Sequence, residues 1–149
     1  MAEIKFVEGE LFVDKRGEIR SANNFDFSEI KRSYVITNAN TEIVRGWNGH
    51  QHEKKWFWCL RGGFTGAFVE IDNWEAPGKH LAPQIIKLCA EQSRVVCVPE
   101  GYATCFRATE PNSLLVVFSD KTYSECLLDS WKYEPNYWFD WNNLIINDK

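Results

Sequence analysis

Seven short segments constrain this chain more than any other feature. They are KRSYVITN (31–38), KKWFWCL (54–60), FTGAFVEID (64–72), PQIIKLCA (83–90), SRVVCVPE (93–100), YATCFRAT (102–109) and SLLVVFSD (113–120). Each is rich in β-branched or aromatic residues, and turn residues such as NANT, RGG, APGK, PEG and TEPNS separate them. They recur at roughly 8–12 residues, the rhythm of a sandwich or barrel. Helical patterning is sparse. TYSECLLDSWK reads as one short helix near the C-terminus, with Thr122 as N-cap and Glu125 completing a capping box. No linker or repeat divides residues 1–149, and that length suits one core. An all-β chain must hide its sheet edges, and a closed jelly-roll barrel does so. Such barrels hold one small ligand between their sheets.

Charge narrows the partners. The net charge is -4 and no basic block occurs, which argues against nucleic acid and against an anionic membrane surface. No stretch approaches the roughly 20 apolar residues of a bilayer span, and the first residues carry no signal-peptide core. A cytoplasmic protein is the expectation. The five cysteines are odd in number and form no CxxC, which predicts reduced, mostly buried thiols.

The segment RGWNGHQH (45–52) holds two of the three histidines. On a regular strand Asn48, His50 and His52 point one way, because side chains alternate between faces. Two histidines at i and i+2 can share a metal, but a stable site wants three or four protein ligands. Glu53 adjoins His52, the later turn VPEGYATCF offers Thr104 and Cys105, and His80 lies in a polar loop. The expectation is therefore no metal. A proton carrier and a structural histidine in a strand both remain open for His50.

Four motifs carry a family resemblance. FVDKRGEI is similar to a D-x-R-G opening, and IKRSYVITN followed by VRGWNGHQH to a K-R-x-Y strand and an R-G-x-H-x-H strand. VCVPEGYATCF is similar to a P-x-G-x-x-x-x-F turn, and VVFSDKTYSE to an S-D-x-x-Y segment. In this order and spacing, over about residues 10–140, they resemble the dTDP-4-dehydrorhamnose 3,5-epimerase superfamily of cupins, and most closely its dTDP-4-keto-6-deoxyhexose 3,4-ketoisomerases. The resemblance implies a cupin-type jelly-roll barrel, a homodimer, and no cofactor. It implies a nucleotide-diphosphate sugar, dTDP-linked and bearing a 4-keto group, as ligand, and a place in surface-polysaccharide biosynthesis.

A hydrogen on the carbon beside a ketone is acidic because the carbanion is an enolate. Its removal needs a base, a donor for the enolate oxygen and an acid to return the proton. Histidine suits the base because it titrates near neutrality. The resemblance places the base at the first histidine of R-G-x-H-x-H, where this chain has Asn48, which cannot serve as one. His50 keeps the second position and becomes the first candidate base, with His52 additional. Tyr34, at the K-R-x-Y position, is the candidate donor near the keto group. Arg16 and Arg45 are candidates for the diphosphate, since a guanidinium matches phosphate oxygens in a fork. Lys55 could also reach a phosphate, although a run such as EKK is more often a wet face. Trp47 is a candidate wall of the sugar site or a core residue, and Tyr123 a site residue or part of a helix start. The tail WKYEPNYWFDW reads as a cover for the barrel edge or a dimer contact, and one of its rings as a candidate base-stacking partner.

Asn48 leaves three readings: His50 or His52 carries the proton, the chain binds a sugar nucleotide without turning it over, or the asparagine was introduced to trap a ligand. Two functions follow. One is an isomerase or epimerase of a dTDP-linked 4-keto-6-deoxyhexose. The other is a catalytically silent sugar-nucleotide-binding or carbohydrate-binding cupin.

Overall fold

The computed structural model describes residues 3–142. Twelve strands and one helix follow in chain order. They are β1 (Lys5–Glu8), β2 (Glu10–Asp14), β3 (Gly17–Ser21), β4 (Arg32–Ile36), β5 (Val44–His50), β6 (Lys55–Arg61), β7 (Gly63–Glu70), β8 (Gln84–Cys89), β9 (Arg94–Val98), β10 (Tyr102–Ala108), β11 (Leu114–Ser119), α1 (Tyr123–Leu127) and β12 (Trp131–Lys132). One sheet has the order β1-β9-β6-β11-β4 and the facing one β12-β5-β10-β7-β8, while β2 and β3 form a separate hairpin. All pairings are antiparallel.

All seven strand segments read from the sequence are present, as β4 and β6 to β11. The helix starts as predicted: Glu125 N–H donates to Thr122 Oγ1 and Thr122 N–H to Glu125 Oε1. It is only one turn long, because the chain leaves it to add β12 to the edge of β5. The N-terminal strands escaped the sequence reading because KFVE, ELFVD and GEIRS mix charges among few apolar residues.

The barrel interior follows from period-2 alternation. Phe57 and Cys59 of β6, Val96 and Val98 of β9, and Leu115 and Val117 of β11 meet Phe64, Phe68, Leu88 and Phe106 from the facing sheet. Polar inward positions collect at the other end of the same strands. In one row Arg32 and Lys55 flank Ser119, and in the next Tyr34 and Phe57 flank Val117. The core is thus apolar at one end and ionic at the other. Burial of a charge there requires partners, so this end is where chemistry is expected.

Both outer faces are covered. Phe25 packs on Trp56 and Val95 of the first sheet. On the second, Trp138, Phe139 and Trp141 of the tail pack over Trp47, Val69 and Cys105. The tail therefore covers a sheet face as well as the β5 edge. Trp141, 1% exposed, is committed to this packing and offers no ring for stacking. Cys59 and Cys105 are buried, but Cys89 is exposed because it points outward from edge strand β8, and all five thiols are free. Among the described residues no helix is long and apolar enough to cross a membrane.

Candidate active site

A cavity of about 300 Å³ opens at the polar end of the barrel, between the two sheets. Tyr34, Arg45, Asn48, Lys55 and Thr104 line it. Phe57 and Phe106 add an aromatic floor, their rings 4.8 Å apart. Among the described residues no carboxylate lines this cavity, while Arg45 and Lys55 bring positive charge to it.

β5 delivers two of these groups, Arg45 and Asn48, through an irregularity. Its pairing with β10 shifts between Thr104, opposite Asn48, and Cys105, opposite Gly46. Trp47 is thereby the extra residue of a bulge, which turns it to the outer face while Arg45 and Asn48 both face inward. Gly46 makes the turn possible with φ of +128, and a Cβ there would lie 2.6 Å from the Thr104 carbonyl oxygen. Trp47 is fully buried, and its indole N–H donates to the Pro135 carbonyl at 2.9 Å. It does not line the cavity, and of the two places open to it, sugar site or core, it takes the outer core.

His50 ends β5, and the chain then bends. The Asp129 carboxylate holds this bend, accepting the Gln51 N–H at 2.8 Å and the His52 N–H at 2.7 Å. The alternation of a regular strand fails here, so His52 does not share the inward face of Asn48 and His50. It is exposed, and its expected place beside them is corrected.

The His50 ring is engaged at both nitrogens. Nδ1 lies 2.8 Å from the Asp129 carbonyl oxygen, which can only accept, so Nδ1 carries the hydrogen. Nε2 lies 2.9 Å from Lys55 Nζ, and Lys55 Nζ also donates to the Tyr34 hydroxyl at 3.0 Å. The sequence Asp129 C=O, His50, Lys55, Tyr34 is one hydrogen-bonded chain that reaches the cavity through Lys55 and Tyr34. Lys55 is therefore no wet-face residue: it is 8% exposed. Burial lowers the His50 pKa below its ordinary 6.5, and the Lys55 charge lowers it further, against a smaller opposing pull from Glu53. At neutral pH the ring is the neutral, proton-accepting form.

Behind His50 sits a fully buried carboxylate, Glu53, which the sequence offered only as a misplaced metal ligand. Glu53 Oε1 is 3.2 Å from His50 Nδ1. Glu53 Oε2 accepts from Ser119 Oγ at 2.5 Å and lies 3.5 Å from Arg32 Nη2. The Arg32 guanidinium packs over the Tyr34 ring at 4.7 Å and the Tyr123 ring at 5.8 Å. Arg32 was legible in principle, since it shares the inward face of β4 with Tyr34. Glu53, Ser119 and Asp129 come together only in the fold, and no local pattern marks them.

Other expected residues are not brought to the cavity. Arg16 stands on the β2–β3 hairpin, its Nη2 bound to Asp14 at 2.6 Å with 78% of the side chain exposed. Tyr123 is 65% exposed at the start of α1 and meets the site only through Arg32. Arg45 does line the cavity, but its Nε and Nη2 are bound by Asn38 Oδ1 and the Thr37 carbonyl, both at 3.1 Å. Among the described residues no three His, Cys, Asp or Glu side chains converge as metal ligands.

The family model described as "FdtA: WxcM-like, C-terminal" matches residues 2–126. The chain belongs to this FdtA/WxcM-like family. The match spans β1 to most of α1, so every cavity residue named above lies inside it. Among curated proteins, none matches the sequence. Solved structures do. One is a His-to-Asn mutant of the 3,4-ketoisomerase QdtA from Thermoanaerobacterium thermosaccharolyticum, in complex with TDP-4-keto-6-deoxyglucose. It is 21% identical over 92% of each chain, with a TM-score of 0.68. A dTDP-4-dehydrorhamnose 3,5-epimerase from Bacillus anthracis str. Ames, with TDP and PPi bound, is 18% identical over 90% of this chain and 80% of that one, with a TM-score of 0.72. ChmJ, a 3'-monoepimerase from Streptomyces bikiniensis in complex with dTDP-quinovose, is 17% identical over 89% and 70%, with a TM-score of 0.70. At such identities the likeness establishes the fold, a cupin jelly roll, as the sequence predicted. Within this FdtA/WxcM-like chain, the ionic end of the barrel is the candidate active site.

Proposed function

We propose that the chain is an isomerase or epimerase of a dTDP-linked 4-keto-6-deoxyhexose, acting by proton abstraction beside the keto group. The observation that carries this reading is the His50–Lys55–Tyr34 chain, which reaches through Lys55 and Tyr34 a cavity that no described carboxylate lines. The ligands bound in the similar solved structures, TDP and dTDP sugars among them, support the substrate class.

The chemistry follows from what each group can give. In the free site Lys55 occupies the His50 Nε2 lone pair. A keto oxygen entering the cavity is a better partner for the ammonium as charge grows on it, and Tyr34 adds a second donor. When Lys55 turns to that oxygen, His50 Nε2 is released to take the carbon-bound proton. The C–H electron pair becomes the enolate, held by Lys55 and Tyr34. The imidazolium so formed keeps its Nδ1–H on the Asp129 carbonyl and faces the Glu53 carboxylate. Return of the proton from Nε2 to C4, with the 3-hydroxyl proton passed to O4, gives the 3-keto isomer; epimerisation instead needs a second donor to deliver a proton to the opposite face of the original carbon. Arg45 is the cavity-lining cation for the diphosphate, and Arg16 and His52 take no part within one subunit.

The assembly is part of the same reading. Phe12 and Ile19 face each other across the hairpin at 57% and 63% exposure. An isolated two-stranded hairpin is marginal in water, so a second copy of this chain covers this face in a homodimer.

One observation favours a second reading, a silent sugar-nucleotide-binding cupin: Asn48 stands where the resemblance expects a base. Proton NMR of dTDP-4-keto-6-deoxyglucose with the protein in D2O separates the two. Loss of the C3 or C5 proton signal above the rate without protein supports the enzyme. Saturation transfer to the nucleotide with no loss of signal supports the binder.

A further inference from the structure

Asn48 is held from outside the motif. Lys132 Nζ donates to Asn48 Oδ1. The contact is built by the sheet: Lys132 of β12 lies directly opposite Asn48 of β5, so both side chains stand on one face. β12 itself is fixed on either side of Lys132. The Trp131 ring packs against Trp74 at 5.6 Å, and the Tyr133 and Trp47 backbones exchange hydrogen bonds of 3.1 and 3.2 Å.

A carboxamide has an accepting end and a donating end, and an ammonium has donors only. The oxygen must therefore face Lys132, and the nitrogen is turned away from it. Asn48 lines the cavity, and no acceptor among the described residues takes its Nδ2 hydrogens. Thr104, opposite Asn48 on the other side, also lines the cavity without forming such a bond.

We propose that Lys132 is a positioning residue that fixes the polarity of the wall at Asn48, so that this position binds a carbonyl or hydroxyl oxygen of the sugar as a hydrogen-bond donor. This deepens the function proposed above and rests on it for the identity of the sugar. Lys132 lies in the tail, outside the span of the family match, which ends at residue 126.

The test compares calorimetric affinities for dTDP and for dTDP-4-keto-6-deoxyglucose, so that the nucleotide and the sugar are read separately. In Lys132→Met the affinity for dTDP stays at the wild-type value, and the gain from the sugar falls roughly 5- to 10-fold, the size of one lost hydrogen bond. Lys132→Arg, which retains a donor, keeps the gain. Asn48→Asp loses it, because a carboxylate offers only acceptors. Equal sugar gains in the wild type, Lys132→Met and Asn48→Asp would overturn the proposal. If dTDP fails to bind the wild type, the nucleotide reading falls by itself. The pinning is then decided in the free protein by the Asn48 side-chain NH2 signals. They move in Lys132→Met and return in Lys132→Arg if it is correct, and stay in place in both if it is not.

Discussion

Lys55 Nζ lies 2.9 Å from His50 Nε2 and 3.0 Å from the Tyr34 hydroxyl, so one buried ammonium has two neutral partners. Its charge is what the ring feels next after burial. Lys55→Met removes that charge and is expected to raise the His50 pKa toward 6.5, with burial still holding it below. An NMR titration of the His50 ring protons measures this. An unmoved or lower pKa would mean that Lys55 does not sense the ring.

Stability should depend on pH with a definite sign. The folded pKa of His50 is lowered from 6.5, so above that value both states are neutral. As pH falls below 6.5 the unfolded chain takes up the proton first, and stability declines until the folded ring titrates. The melting temperature should therefore drop between pH 7 and pH 5, a window above the carboxylate range. His50→Gln should flatten this part of the curve, and a drop of the same size in the variant would assign it to other groups.

His50→Ala should cut substrate C–H exchange in D2O by about 100-fold or more, the scale of a lost general base, while dTDP still binds. Tyr34→Phe should cost less, about 10-fold, because Lys55 remains as donor. Exchange at the wild-type rate in His50→Ala would remove this residue from the mechanism.

Gly46→Ala tests the bulge. The residue needs φ of +128, and its new methyl would meet the Thr104 carbonyl at 2.6 Å. A loss of about 2 kcal/mol or more in urea unfolding is expected. A smaller loss would show that β5 can relax without this turn.

The hairpin face predicts assembly. Phe12→Asp combined with Ile19→Asp should convert a sedimenting dimer to monomer, while Lys15→Asp at the nearby turn should not. A double variant with the wild-type mass would place the interface elsewhere.

The sequence by itself determined the barrel and the motif that supplies its site. Period-2 alternation and turn chemistry are local, and they placed seven strands and a capped turn of helix. The same alternation sets Tyr34 on the face of Arg32 and Lys55 on that of Phe57, and the fold turned both faces inward, against the wet-face reading of EKK. Only the tertiary structure decided the rest. The bulge that turns Trp47 outward depends on how β5 meets β10, and His52 leaves the wall because Asp129, some 77 residues away, holds the bend. Glu53 and Ser119 meet across 66 residues, and Lys132 reaches Asn48 across 84. Such contacts are set by strand register between distant segments, and a hydrogen bond across a sheet leaves no periodic trace in the chain that forms it.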